Sequence, residues 1–402
     1  MNVRLQRKMD RILGVLLCGF FSLFNLRDRG ALPRTGPSNI LIILLSEMGS
    51  LVLARPLFEH IKKKFPHASL HVLLFEQNRE VLELLDAVPL KNIHTVSNRS
   101  MSAFILDSIH VINRLRRFKI DTVFDCELFS RISSTYSFLS GAKIRAGFHP
   151  YTQEGLFRGN TVNRRVLYNP YHHISHQFIN LVEAYDGSGV PDVKRQVVNK
   201  TFSMPTLNYA HGEMNALRAR LERHYPSIAG KEMILVYPSG GLLPIRAWPL
   251  RNFCLAAEDF IRKGYAVGII GMKGDKRFAQ AIFSYCDSPY CIDFTGYTKT
   301  VRELLLLFNM SSLLITNDGG PGHFASLTSV PAIILFGPET PLLYGPLDQK
   351  SYAFHASLSC SPCLTAYNHR ETPRDGDNLC LKTIETEDVL SKAYEILEQK
   401  NV

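Results

Sequence analysis

Residues 39–66 read NILIILLSEMGSLVLARPLFEHIKKKFP. The run Asn39 to Leu45 is apolar and of strand length, as expected for a strand buried on both faces of a sheet. Glu47-Met48-Gly49-Ser50 reads as a tight turn. Leu51 to Phe65 places apolar residues at helical spacing, ends in Lys62, Lys63 and Lys64, and stops at Pro66. Strand, glycine turn and helix in that order open an α/β unit.

The pattern continues outward. Leu70 to Phe75 reads as the next strand, Arg79 to Asp86 as a helix, Ser102 to Phe118 as a longer helix and Thr122 to Phe124 as a strand. A second series begins near Lys231: strand Met233 to Tyr237, helix Leu250 to Lys263, strand Ala266 to Ile270, and helices from Lys276 and Val301. Strand Leu313 to Thr316, helix Gly322 to Thr328 and strand Ala332 to Phe336 follow. Strands alternating with helices predict parallel, doubly wound sheets, so the chain reads as two Rossmann-like halves with ligands expected in the cleft between them. The expected division is 1–35, an N-terminal segment; 36–205, the first domain; 206–230, a helical linker; 231–385, the second domain; and 386–402, a last helix that could pack back on the first domain.

The 402 residues fit two or three domains at a prior of roughly 150 residues each. With 46% hydrophobic and 20% charged residues, the chain is neither disordered nor polytopic. Of the net charge of +10, half lies in the first 34 residues, where seven bases (Arg4, Arg7, Lys8, Arg11, Arg27, Arg29, Arg34) face only Asp10 and Asp28. The rest holds no dense Lys/Arg block and no aromatic platform, which argues against nucleic acid. A basic arm beside the apolar run Ile12 to Leu26 points instead to an anionic membrane surface. That run has 15 residues, short of the roughly 20 needed to span a bilayer, so a helix lying in the membrane from the cytoplasmic side is expected over a true span or a signal sequence. The eight cysteines do not form a secreted framework, and the body is expected in a reducing cytosol.

The strongest local signal is Thr316-Asn317-Asp318-Gly319-Gly320-Pro321-Gly322-His323, which follows an apolar strand and opens a helix. Glycines let backbone approach a ligand, free amides at a helix start attract phosphate, and Asp318 can accept from sugar hydroxyls. The plainer reading is a tight Gly-Pro turn. The run Asn317 to Ala325, with Val330-Pro331 and Leu335-Phe336-Gly337-Pro338, closely resembles the donor-binding segment of the lipopolysaccharide heptosyltransferase family, glycosyltransferase family 9. Ile40 to Pro56, His67 to Leu70, Pro238-Ser239 with Arg246-Ala247-Trp248-Pro249, and Asp293 to Gly296 resemble further family segments in the right order. The resemblance covers roughly residues 39–390. It implies a GT-B fold, two Rossmann-like domains facing a central cleft, an inverting transfer from a nucleotide-sugar, and no metal or other cofactor.

Departures from the family pattern bear on mechanism. The opening turn usually carries Gly-Asp, with the aspartate as base for the acceptor hydroxyl; here Ser50 follows Gly49. Glu47, three residues earlier, keeps a carboxylate on that turn and is the expected base, with Ser50 and Gly49 binding a ligand oxygen; its plainer reading is a solvated loop residue. Arg246 stands where the family usually has lysine before Trp-Pro, and a guanidinium can bridge two diphosphate oxygens of the leaving group. Ser239 belongs to the same donor set, and by resemblance Asp275 reaches the ribose while Gly319, Gly320, Pro321 and His323 complete the donor contacts. Asp125, Glu127 and Arg131, after the Thr122 strand, are expected to meet the acceptor, with Glu127 as reserve base.

Two groups suggest metal. Cys360 and Cys363 with Cys380, and His369 as a fourth ligand, could form a zinc set, but reduced cysteines in a capped loop are the expected state. His172, His173 and His176 have helical spacing without an acidic partner and are expected to face the cleft between the halves or to pack at a helix start rather than to bind metal. No G-x-S-x-G, P-loop or H-E-x-x-H motif occurs. The sequence therefore reads as a glycosyltransferase moving a sugar, expected to be heptose from ADP-heptose, onto a lipid-linked saccharide at the inner face of the inner membrane. A non-catalytic nucleotide-sugar- or glycan-binding homologue that has lost the usual base, or a nucleotide-sugar epimerase on the same fold, are the other readings.

Overall fold

The computed structural model describes residues 6, 8–24, 36–45, 47–128, 130–148, 156–187, 204, 206, 207, 209–364 and 377–400. The chain divides into two compact units, residues 1–200 with 366–370 and residues 201–365 with 371–402.

In the first unit a π-helical turn, Asp10–Gly14, runs into α1 (Val15–Leu23). Then come β1 (Asn39–Ile43), α2 (Met48–Leu53), α3 (Arg55–Lys64), β2 (Ser69–Phe75), α4 (Arg79–Leu84), β3 (Ile93–Val96), α5 (Met101–Arg117) and β4 (Thr122–Asp125). α6 (Ile132–Leu139), β5 (Ile144–Phe148), β6 (Arg164–Val166) and α7 (Ile174–Glu183) complete it. The six parallel strands lie in the order β3-β2-β1-β4-β5-β6. β1 is central because Ile40 to Ile43 are apolar on both faces and wholly buried. The helix expected from Leu51 to Phe65 is two helices meeting at Ala54, since Pro56 in the first turn of α3 has no N–H to continue the ladder. α2 also starts earlier than expected, so Met48, Gly49 and Ser50 form its first turn. His173 caps α7, its Nδ1 accepting from the Ser175 N–H at 3.3 Å, the second of the two places expected for this group.

The N-terminal helix is docked on this unit. Asp10 Oδ1 accepts from the backbone N–H of Arg131 (2.7 Å) and Ile132 (3.1 Å) and from Ser130 Oγ (3.0 Å), capping the start of α6 from more than a hundred residues away. Phe21 stacks on Phe138 with centroids 4.9 Å apart, and Ser22 Oγ accepts from the Asn160 N–H at 2.7 Å. The approach needs Gly159: its φ is +57°, and a Cβ there would sit 2.0 Å from Ser22 Oγ. No helix among the described residues is long and apolar enough to cross a membrane.

The second unit runs α8 (His211–His224), β7 (Met233–Tyr237), α9 (Leu250–Arg262), β8 (Ala266–Gly271), α10 (Lys276–Cys286), β9 (Cys291–Thr295), α11 (Val301–Asn309) and β10 (Leu313–Asn317). α12 (Gly320–Ala325), β11 (Ala332–Phe336), α13 (Pro341–Tyr344), β12 (Tyr352–His355), α14 (Leu379–Lys382) and α15 (Thr386–Lys400) follow. Its parallel order is β12-β11-β10-β7-β8-β9. Counted from its own first strand, each unit has the order 3-2-1-4-5-6, the dinucleotide-fold order whose direction of winding reverses between strands 1 and 4.

Two expectations are corrected here. The 206–230 stretch carries α8, which belongs to the second unit: Glu213 takes a bidentate ion pair from Arg302 at 2.7 and 2.8 Å, and Arg220 pairs with Glu303 at 2.9 Å. The last helix packs on the second unit rather than the first, because Val389, Ala393 and Leu397 repeat at helical spacing and fill the core formed by Phe253, Phe260 and Ile269.

Candidate active site

Open parallel sheets bind ligands beyond the carboxyl ends of the strands where the winding reverses. In the first unit that point lies beyond β1 and β4. Glu47 is there, half-buried, in extended conformation (φ −126°, ψ 120°) at the N-cap of α2, and Ser50 Oγ donates to its Oε2 at 3.1 Å. Gly49 and Ser50 are partly exposed in the turn that follows.

The residues after β4 do a different job from the one expected. Asp125 is wholly buried; its Oδ2 takes Arg158 Nη1 at 2.5 Å and Ser133 Oγ at 2.8 Å. Burial pushes its carboxyl upward in pKa, opposed first by the Arg158 guanidinium and then by the Ser133 hydroxyl. Glu127, 3% exposed, accepts the Leu45 N–H on Oε2 at 2.9 Å, while its own carbonyl takes Arg158 Nη2. Arg131, 8% exposed, pairs through Nη1 with Asp10 Oδ2 at 3.3 Å. Asp125 and Arg131 are thus committed to internal ion pairs, which corrects their reading as acceptor contacts. Glu127 fixes the chain just before Glu47, a positioning role and not that of a reserve base. The partners, Asp10 and Arg158, had gone unread.

In the second unit the reversal lies between β7 and β10, and the residues expected from the sequence to meet the donor gather there. Asn317, the last residue of β10, accepts the Trp248 N–H on Oδ1 at 2.8 Å and donates through Nδ2 to the carbonyls of Tyr237 (3.3 Å) and Ser239 (3.2 Å). Asn378 donates to the carbonyls of Ile245 (3.1 Å) and Ala247 (2.6 Å), and buried Trp248 Nε1 donates to the Ile384 carbonyl at 2.9 Å. The loop ending in Arg246 is therefore clamped from both sides. Its tight turn needs Gly240 and Gly241: a Cβ at Gly240 would meet the Leu243 carbonyl at 2.6 Å, and Gly241 has φ +61°. Ser239 Oγ accepts the Gly241 N–H at 3.1 Å, so this 3%-exposed residue shapes the same turn.

That clamp delivers Arg246 between two buried carboxylates. Its Nη2 forms a charge-assisted bond to Glu339 Oε2, and its Nε lies 3.7 Å from Asp318 Oδ2. That separation is too long for a hydrogen bond, and both atoms are buried without another partner. A ligand hydroxyl or a water between them would satisfy both. Gly319 precedes α12, with Gly320 and Pro321 in its first turn and buried His323 behind them. Asp275 follows β8 and accepts the Met272 N–H on Oδ2 at 2.8 Å. It shares an environment with Arg246: the Tyr237 hydroxyl, pushed up in pKa chiefly by burial, is influenced by both. Glu339 went unread although it stands one residue beyond the quoted Gly337-Pro338, and Asn317 was read only as part of the motif.

Among the described residues no group of three or more His, Cys, Asp or Glu side chains is placed to hold a metal, and His369 lies outside the described residues.

The model of glycosyltransferase family 9 (heptosyltransferase) matches residues 110–372, about two thirds of the chain. The chain belongs to glycosyltransferase family 9. Among curated relatives, lipooligosaccharide heptosyltransferase 2 of Haemophilus ducreyi is 22% identical over 318 residues, covering 78% of this chain and 87% of its own. Lipopolysaccharide heptosyltransferase 3 of Escherichia coli is 22% identical over 358 residues, covering 87% and 96%. Among solved structures, the ADP-heptose lipopolysaccharide heptosyltransferase II of E. coli superposes with a TM-score of 0.68 at 20% identity, over 90% of this chain and all of the other. E. coli heptosyltransferase WaaC with ADP gives 0.61 at 14% identity, over 89% and 99%. This family member therefore has the GT-B type of fold expected from its sequence and is a glycosyltransferase. The site it carries departs from the family resemblance at Ser50 and Arg246.

Proposed function

We propose that the chain transfers heptose from ADP-heptose to a lipid-linked saccharide of the lipopolysaccharide-core type, with inversion at the anomeric carbon. The observation that carries this reading is the half-buried Arg246 held between the buried carboxylates of Glu339 and Asp318 at the winding reversal of the second unit. Glu339 fixes one edge of the guanidinium. Nη1, which takes part in neither contact, is left to meet a diphosphate oxygen as charge develops on the leaving group. The orphaned pair of Arg246 Nε and Asp318 Oδ2 suits a sugar hydroxyl, which both donates and accepts. Asp275 suits the ribose, and the Gly319-Gly320-Pro321-His323 turn suits the sugar and phosphate backbone.

The acceptor hydroxyl attacks the anomeric carbon and gives its proton to Glu47. Ser50 steadies that carboxylate, and Glu127 fixes the strand end before it. A single displacement breaks the bond from anomeric carbon to phosphate oxygen as the new glycosidic bond forms, so ADP leaves with both electrons and the configuration inverts. Residues 1–34 serve the membrane surface on the cytoplasmic side, where a lipid-linked acceptor is presented. The similarity to lipopolysaccharide and lipooligosaccharide heptosyltransferases, one of them an ADP-heptose enzyme and another solved with ADP, supports this choice of donor and acceptor.

Calorimetric titration of the full chain with ADP-heptose, ADP, UDP and UDP-N-acetylglucosamine tests the donor. Binding confined to the adenine pair, and weakened about tenfold or more by Arg246→Ala, is expected. Preference for the uridine pair would move the donor to another sugar.

A further inference from the structure

The first unit presents two apolar stripes to solvent. On the N-terminal helix Ile12, Leu16, Phe20 and Leu23 follow one another at spacings of four, four and three residues and are 52–67% exposed, while Gly14 and Cys18 on the opposite side are buried. On α5, Ile105, Leu106 and Ile109 are 49–67% exposed, and the inner side of that helix is spent in the core through Val111 and Leu115. The same outer side of α5 continues into exposed Asn113, Arg116 and Arg117, so it passes from apolar to basic along its length. α6 touches both helices: Phe138 stacks on Phe21, and the Tyr136 hydroxyl bonds Ser108 at 2.6 Å.

The charge around these stripes has one sign. α5 carries Arg114, Arg116 and Arg117, with Lys119 just beyond, and its one acid, Asp107, is engaged by the Ser97 N–H at 2.9 Å. The N-terminal segment holds seven bases against two acids, and Asp10 is engaged by Arg131. Leucine, isoleucine and phenylalanine flanked by Arg and Lys form the pattern of a helix lying at a lipid interface. A second copy of the chain would bring the same positive charge to both sides of a contact, which opposes self-association.

We infer that α5 and the N-terminal helix together form a docking surface for an anionic phospholipid bilayer, the apolar stripes entering the interface and the bases meeting lipid phosphates. This rests on the reading of residues 1–34 as the membrane-facing segment and extends it to a helix eighty residues further along the chain. The first unit would then lie on the membrane by two helices instead of hanging from a terminal anchor.

Co-sedimentation of the full chain with vesicles of phosphatidylcholine containing about one third phosphatidylglycerol tests this, against phosphatidylcholine alone. The unaltered chain is expected to bind the anionic vesicles about tenfold or more tightly than the neutral ones, and Leu106→Glu with Ile109→Glu to lower that binding about tenfold, as is Leu16→Glu with Phe20→Glu. Transfer to a water-soluble acceptor is expected to be unchanged in both pairs, which separates failure of docking from failure of the proposed activity. Undiminished binding of the α5 pair would overturn the role of α5. Absence of binding by the unaltered chain would overturn the surface altogether, as would a dimer in sedimentation velocity that the α5 pair abolishes, because the face would then belong to a second copy.

Discussion

Glu47→Gln is expected to lower the rate of sugar transfer by about 10²–10⁴-fold, the usual contribution of a positioned general base. Glutamine keeps an oxygen for the Ser50 hydroxyl, so the first turn of α2 stays in place and only proton acceptance is lost. Donor binding, which the proposed function assigns to the second unit, is expected to be unchanged, placing the whole loss in kcat. Glu127 cannot substitute: it is 3% exposed and its carboxylate holds the Leu45 N–H. A Glu47→Gln enzyme turning over within about threefold of the unaltered one would remove Glu47 as the base.

The largest loss of stability is expected from Arg158→Met. Asp125 would be left wholly buried with two serine hydroxyls and no counter-charge, and breaking a buried ion pair from one side costs about 3–5 kcal/mol. Denaturant midpoints at constant slope measure this directly. The double variant Arg158→Met with Asp125→Leu is expected to recover much of the loss, since an apolar pair carries no stranded charge. A single variant within about 1 kcal/mol of the unaltered chain would show that the pair does not hold β4 to the 158 loop.

What could be read from the sequence followed the physics of each segment. β1, β7 and β10 are unbroken apolar runs, so their two-sided burial was visible, and the glycine turns after β1 and β10 marked where ligand-facing loops begin. β5 and β6 were hidden because they carry Arg145, Arg164 and Arg165. Arg145 is buried within the sheet only because its guanidinium reaches the carbonyls of Thr161 and Ala142, bonds that spacing alone does not reveal. Asp125 and Arg131 looked like acceptor groups because charges at strand ends usually face a ligand. Their partners stand 33 and 121 residues away, and only the fold brings them together. Arg246 was legible as a cation at a family position, but Asn317, Asn378 and Glu339, which clamp its loop and fix its charge, are ordinary polar residues 69, 131 and 93 positions from the residues they hold.

The transfer reaction itself is the most direct test of the proposed chemistry. The full chain, ADP-heptose and a lipopolysaccharide-core acceptor ending in a free sugar hydroxyl would be incubated together, and the product linkage read by NMR. The expected result is one heptose added per ADP released, with the anomeric configuration opposite to that in the donor. ADP release without a new glycosidic bond, or a product with retained configuration, would contradict the single displacement assigned to Glu47 and Arg246.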